Sequence, residues 1–287
     1  MRMVFKQLVR ETRVFFGIGF FSLLSLGAES SGVFLGGGFQ YSYASGAFKQ
    51  DTVMQYTIPG IPTLITKTKN PYNGNLFGGD IQMGYKLFFG QKKKRFGLRF
   101  YGFFSGQAGY ANSVKSSDAD PKFVVTNQPG TNLFYGGGMD MLYNFYDSNE
   151  RSFGVFAGVV VGWSSWSMGK DKQCRWASIH KRGGGSSGCI TMNAFFNEQV
   201  LINHKFYPGL KSSFSPAFVQ LLVNLGFRFN FTKHQGLEVG VRIPTINNLY
   251  YVDRGTYAMG RMVKIKIDSA LILRRDIAAF VNYVINF

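Results

Sequence analysis

Alternation with a period of two dominates this chain. In the segment 217–231, Val219, Leu221, Val223, Leu225, Phe227, Phe229 and Phe231 fall on one face, with Gln220, Asn224, Arg228 and Asn230 on the other. Successive side chains of a strand point to opposite faces, so the run predicts a strand with one apolar and one polar side. The same reading predicts strands at about 33–43, 76–89, 96–110, 133–146, 152–164, 237–243 and 276–287, eight in all. The last of them puts Val281, Tyr283, Ile285 and the final Phe287 on its apolar face, with Asn282 and Asn286 between them. Bacterial outer-membrane barrels commonly present such an ending to their assembly machinery, whereas a soluble terminus is usually frayed and polar.

The connections alternate too. Gly90–Arg95, Asp147–Arg151 and Thr232–Gly236 are short and polar, while about 44–75, 111–132, 165–216 and 244–275 are long. Short turns at one end and long loops at the other predict an all-β, transmembrane, antiparallel up-and-down β-barrel of eight strands, with long loops extracellular and both chain ends periplasmic. A soluble β-sandwich also alternates, but a compact domain rarely carries several structureless connections of this length. Two segments leave the strand number open. Val263, Ile265 and Ile267 alternate with Lys264, Lys266 and Asp268, which suits a ribbon in the last loop or an extra strand pair, and Ile190–Phe196 raises the same question in the third loop.

The start of the chain changes the compartment. Arg2, Lys6, Arg10 and Arg13 precede an apolar run, Val14–Leu26, and small residues at Gly27 and Ala28. That is the pattern of a cleaved signal peptide, expected at 1–28, and the run is too short for a spanning helix. The remaining 29–287 is then exported as one barrel. Aromatics at 17% and 36 glycines, in a chain whose mean hydropathy is −0.03, fit strands with one lipid face and one polar face. The net charge of +17 becomes +14 once four basic residues and one acid leave with the signal. A balance this basic can indicate nucleic acid. Export and the lack of any nucleic-acid-binding motif exclude that partner, and Lys92–Arg95 reads as a solvated turn.

Certain residues carry a family resemblance. The opening Gly32-Val-Phe-Leu-Gly-Gly-Gly-Phe-Gln-Tyr-Ser-Tyr43 resembles the first strand of the Helicobacter outer-membrane protein family. So does Leu237-Glu-Val-Gly-Val-Arg-Ile-Pro-Thr-Ile-Asn-Asn-Leu-Tyr-Tyr251, whose Ile-Pro-Thr-Ile-Asn core is the most specific piece. Arg274-Arg275 and the Asn-Tyr-Val-x-x-Phe ending complete the resemblance, which covers the first and last barrel strands and says little about the loops. It implies an outer-membrane surface protein, in a family that includes adhesins for host glycans or receptors, pore formers and members of unassigned role. The large adhesins of that family carry a big extracellular domain after the first strand. Here only about 44–75 occupies that place, so their glycan specificity is not carried over.

An eight-stranded barrel is just wide enough for side chains to fill it. Asp80, Lys86, Arg99, Asp140, Arg228, Glu238 and Arg242 fall on predicted inner faces. Mixed signs in a narrow lumen read better as a pairing ionic network than as an ion-selective constriction, because an unpaired buried charge is costly. Cys174 and Cys189 are the only cysteines, and in an exported chain they read as a disulfide rather than a metal site. Closing that loop should stabilise by about 3 kcal/mol. Within it, Arg175, Trp176, Lys181 and Arg182 are candidate contacts, either for an anionic host glycan or surface protein or for lipopolysaccharide phosphates. His180, His204 and His234 are the only histidines and no nucleophile motif surrounds them, so no enzyme, cofactor or metal is expected. The function expected from the sequence is adhesion or envelope contact through the loops. A porin for small solutes is the alternative, and a purely structural barrel the less favoured third reading.

Overall fold

A computed structural model of the chain describes residues 31–89, 95–148, 151–178 and 188–287. The expected signal at 1–28 lies outside them, as do His180, Lys181, Arg182 and Lys92–Lys94. The elements in chain order are β1 (Gly32–Tyr56), β2 (Leu64–Phe89), β3 (Phe96–Ser113), β4 (Gln128–Ser148), β5 (Arg151–Met168), α1 (Met192–Phe206), β6 (Leu210–Phe214), β7 (Ala217–Asn230), β8 (Gln235–Pro244), β9 (Asn248–Met259) and β10 (Val263–Asn286).

Strands β1-β2-β3-β4-β5-β7-β8-β10 pair in that order, each antiparallel to the next, and β10 pairs back onto β1 from Phe34↔Asn286 upward. The ring is closed with eight strands and leaves no edge in the spanning part, the condition a strand must meet in lipid. Its outer face is apolar, with Phe39, Phe77, Ile81, Met83, Met141, Val161, Phe227 and Val281 among the exposed side chains. Rings cluster on the outer wall near the short turns, where Phe96, Tyr143, Phe145, Phe153 and Phe229 form a chain of contacts with centroids 4.8–5.8 Å apart. Such a cluster is the aromatic girdle expected at a membrane boundary. Val281, Tyr283 and Phe287 are exposed on this wall, while Ile285 is partly covered.

The long connections differ from the sequence reading. Segment 44–75 is strand over most of its length, since β1 runs on to Tyr56 and β2 starts at Leu64. The reason is pairing: β1 is flanked by β10 as far as Tyr56 and by β2 as far as Met54, so its backbone groups stay satisfied well above the lipid belt. Segment 244–275 likewise carries β9 and the upper half of β10, which pair as a ribbon from Val263↔Met259 to Leu273↔Asn248. Segment 263–268 is therefore a continuation of the last barrel strand. Ile190–Phe196 adds no strand; it leads into α1, where Thr191 caps by accepting a hydrogen bond from the Ala194 N–H at 3.1 Å.

Strands β8 and β9 are two halves of one rising path, broken at Thr245–Asn247, and β7 and β6 are broken at a matching height around Pro216. Pro244 has no N–H to continue the ladder. The exposed backbone of Ile246 is instead paired by a side chain: Gln220 Nε2 donates to its carbonyl at 2.8 Å, and Gln220 Oε1 accepts from its N–H at 2.9 Å. The Ile-Pro-Thr-Ile-Asn segment is thus the step between the membrane-spanning barrel and the sheet raised above it.

Candidate functional site

Three regions could carry function: the lumen, its mouth, and the outer face of the raised sheet. In the lumen, Asp80, Lys86, Arg99, Asp140, Arg228, Glu238 and Arg242 are all buried. Arg99 on β3 lies at the centre. Its Nη2 meets Asp140 Oδ2 at 2.6 Å and its Nη1 meets Glu238 Oε1 at 2.5 Å, so one guanidinium bridges β4 and β8 across the barrel. Gln82 donates to the other Glu238 oxygen at 3.1 Å, and the Tyr101 hydroxyl donates to Asp140 Oδ1 at 3.2 Å. The Tyr101 ring lies where a side chain at position 138 would be: a Cβ on Gly138 would come within 2.4 Å of it, which is why glycine occupies that position. Asp80 forms a second centre, accepting from Arg242 Nη1 and from Asn282 Nδ2, both at 2.6 Å. Lys86 bonds Asn286 at 2.8 Å and Arg228 bonds Asn144 at 2.6 Å.

Aromatic rings fill what the polar groups leave. The Arg99 guanidinium stands 5.0–5.2 Å from the ring centres of Phe34, Tyr101 and Phe156, and that of Arg242 is 3.7 Å from Phe280 and 4.4 Å from Phe103. An inner cation that the sequence reading missed is Arg275, buried near the upper end of this layer.

Above the polar layer the mouth is closed by an apolar cluster. Phe195 and Phe196 of α1 pack with Trp176, Tyr250, Tyr251, Trp166, Phe48, Phe123, Leu271 and Leu273. Cys174 and Cys189 are joined as a disulfide with Cα atoms 5.2 Å apart, a normal separation for such a bridge. This clasp holds Trp176 in place, and the indole Nε1 donates to Gln128 Oε1 at 2.7 Å. Trp176 is 2% exposed, so its assignment as a surface contact is corrected: its ring is 5.0 Å from that of Phe195 and serves the closure. Arg175 stays partly exposed and pairs with Asp171 at 3.2 Å. Asn193 ties the helix to the wall through the Met168 N–H at 2.6 Å and the Tyr250 hydroxyl at 2.7 Å. Burial, aided by the neighbouring Asp253 carboxylate, raises the Tyr251 pKa above the ordinary phenol value, so this hydroxyl stays protonated and donates to Asp253 Oδ2 at 2.6 Å.

The raised sheet β2-β1-β10-β9-β6 turns Phe48, Ile265 and Leu271 inward. Its other face carries Lys67 and Lys69 on β2, Lys49 on β1, Lys264 and Lys266 on β10, Arg254 on β9 and Lys211 on β6, all exposed. Cross-strand partners share a face. Lys67 opposes Asp51, Asp51 opposes Asp268, Asp268 opposes Arg254, and Arg254 opposes Lys211, forming one row across five strands. Asp51 and Asp268 are the carboxylates within this array, and Asp268 is engaged by Arg254 at 3.1 Å. No sequence motif marks this array, because each strand contributes only one or two cations and the register alone brings them together.

Closure of the ring, its apolar belt and its filled interior define an outer-membrane β-barrel. The chain belongs to the Helicobacter outer membrane protein family, whose model matches residues 80–287. No curated protein sequence matches the chain. Among solved structures, it is similar to the outer membrane protein OprG from Pseudomonas aeruginosa, at 10% identity and a TM-score of 0.34 over 89% of this chain and 96% of that one. It is also similar to Neisserial surface protein A, at 13% identity and a TM-score of 0.30 over 86% and 99%. A third is Ail, the attachment invasion locus protein of Yersinia pestis, at 10% identity and a TM-score of 0.24 over 84% and 97%. Likenesses this weak carry no argument; the barrel rests on its own strand pairing and on the family.

Proposed function

We propose that the protein is a closed, non-catalytic surface barrel that presents its long-loop end to the exterior and binds anionic glycan there. The observation that supports this reading is the basic outer face of the raised sheet, seven cations against two carboxylates on five strands joined by cross-strand pairing. Pairing presets the backbone that spaces these cations, so binding orders side chains and not the chain, which limits the entropic cost of engaging a flexible polyanion. The shared ligand chemistry, sulfate or phosphate groups on a sugar, occurs both in the lipopolysaccharide of the cell's own envelope and in sulfated host glycans.

Replacing Lys49, Lys69, Lys264 and Lys266 together with glutamine should weaken binding about a hundredfold or more, at about 1 kcal/mol per cation near an anionic surface. The measurement is titration of the refolded protein, in parallel, against lipopolysaccharide vesicles and against a soluble sulfated glycan. Loss confined to the vesicles assigns envelope contact, loss with the soluble glycan assigns adhesion, and unchanged binding to both removes the reading. Raising the salt should weaken the wild type as well, since exposed charges are screened.

The filled lumen and the apolar closure above it support a closed barrel over a porin. In a planar bilayer the refolded chain, its folding checked by a heat-dependent gel shift, is expected to give no stable single-channel steps. Reproducible steps would favour the porin. Catalysis finds no support in the two described histidines: the His204 ring contacts the Ser212 carbonyl at 3.1 Å and that of His234 the Asn286 carbonyl at 2.9 Å.

A further inference from the structure

The lumen carries more positive than negative charge. Among the described residues, Lys86, Arg99, Arg228, Arg242 and Arg275 are buried there against three carboxylates, Asp80, Asp140 and Glu238. Asp140 and Glu238 pair with Arg99, Glu238 also lies in the field of Lys86 and Arg228, and Asp80 is engaged by Arg242 and Asn282. Arg275 is therefore left with a neutral partner: its Nη1 donates to Gln107 Oε1 at 3.1 Å. Gln107 ties it to the Asp80 centre, for Gln107 Nε2 donates to the Gln40 carbonyl at 3.3 Å and Gln40 Oε1 accepts from Arg242 at 3.4 Å.

The hydrogen-bond capacity left over at this junction is mostly that of donors. Arg242 is 1% exposed, yet its Nε and Nη2, like Nε2 of buried Gln40, have no hydrogen-bond partner among the described residues. Stacking on Phe280 and Phe103 covers the faces of the Arg242 guanidinium but leaves its in-plane N–H groups unmet. A buried charge without a counter-charge is strongly destabilising, and buried donors without acceptors add to that. One anion placed against Arg242, Arg275 and Gln40 would relieve all of these at once.

We propose that Arg242 and Arg275 hold a small monovalent inorganic anion, a halide, inside the barrel. The aromatic rings of Phe280 and Phe103 against Arg242, with Phe134 6.0 Å from Arg275, favour a monatomic ion over a bulkier oxyanion. The anion is a structural counterion, taken up when the strands close around it. It is independent of the glycan reading, which concerns the opposite face of the wall.

The test uses the full chain refolded into detergent or vesicles at constant ionic strength, in bromide, chloride or sulfate. Bromide and chloride should shift the folding equilibrium about tenfold once their concentration is about ten times the dissociation constant, and sulfate should not. Arg275→Gln should abolish that halide dependence, whereas Arg274→Gln, at an exposed neighbour paired with Asp276, should retain it. Crystals grown in bromide should show an anomalous peak between Arg242 and Arg275. Because that peak is read from the wild type, the proposal stays decidable even where Arg275→Gln does not fold. Halide-independent folding together with a bromide-free lumen would overturn it.

Discussion

Arg99→Met is expected to destabilise the barrel by about 3–5 kcal/mol, the usual cost of leaving buried charge unpaired. Arg99 serves two carboxylates on different strands, and both are sealed from water. Methionine roughly keeps the volume, so the loss comes from Asp140 and Glu238 facing each other across the lumen without their shared cation. Urea unfolding of the refolded protein in vesicles, read by the heat-dependent gel shift, measures it. The combined replacement Arg99→Met, Asp140→Asn and Glu238→Gln should recover most of that loss, because it removes the stranded charges along with the attraction. If the single variant unfolds like the wild type, water reaches these groups and the lumen is more open than its packing indicates.

Phe196→Ala should free the mouth without unfolding the wall. The ring is 1% exposed and has aromatic neighbours on four sides, with centroids 4.5 Å from Tyr251, 5.3 Å from Phe195, 5.7 Å from Trp176 and 5.9 Å from Tyr250. Truncating a phenylalanine in such a cluster costs about 3–5 kcal/mol. The helix α1 rests on the wall through this cluster and a few hydrogen bonds, whereas the spanning strands are joined by continuous ladders. The loss should therefore appear as local opening. Amide exchange in α1 should accelerate about a hundredfold, which corresponds to about 3 kcal/mol at 1.4 kcal/mol per decade, while the strands keep their protection. Unchanged exchange in α1 would mean that the disulfide and Asn193 hold the helix without the aromatic cluster.

Much of the spanning barrel was legible because lipid imposes a rule that the chain must obey residue by residue. Every second side chain faces hydrocarbon, so the eight strands announce themselves by alternation, and the inner charges from Asp80 to Arg242 follow by counting in twos. The height of the walls was not legible. Above the membrane both faces of a strand can be polar or mixed, as in Thr66–Asn70, and the pattern that distinguishes strand from loop fades. Trp176 was misplaced for a related reason: a tryptophan between basic residues in a loop looks like a contact until the disulfide and α1 turn it inward.

Arg275 shows most clearly where counting fails. Outward residues on β10 run back from Tyr283 and Val281 through Ala279 to Ile277, and the next step of two would put Arg275 outside as well. The register shifts there, with Tyr43 opposite Ile277 and Ala44 opposite Arg275, so Asp276 is an extra residue and the parity of the strand reverses. A one-residue bulge sends every side chain beyond it to the other face. The sequence by itself determined the lipid-facing strands and, through alternating short and long connections, their antiparallel order in a barrel, because alternation is a local property that each strand carries alone. Only the tertiary structure decided which cations meet which carboxylates, how the mouth is closed and which lysines share a face, because those depend on register, and register is set between strands.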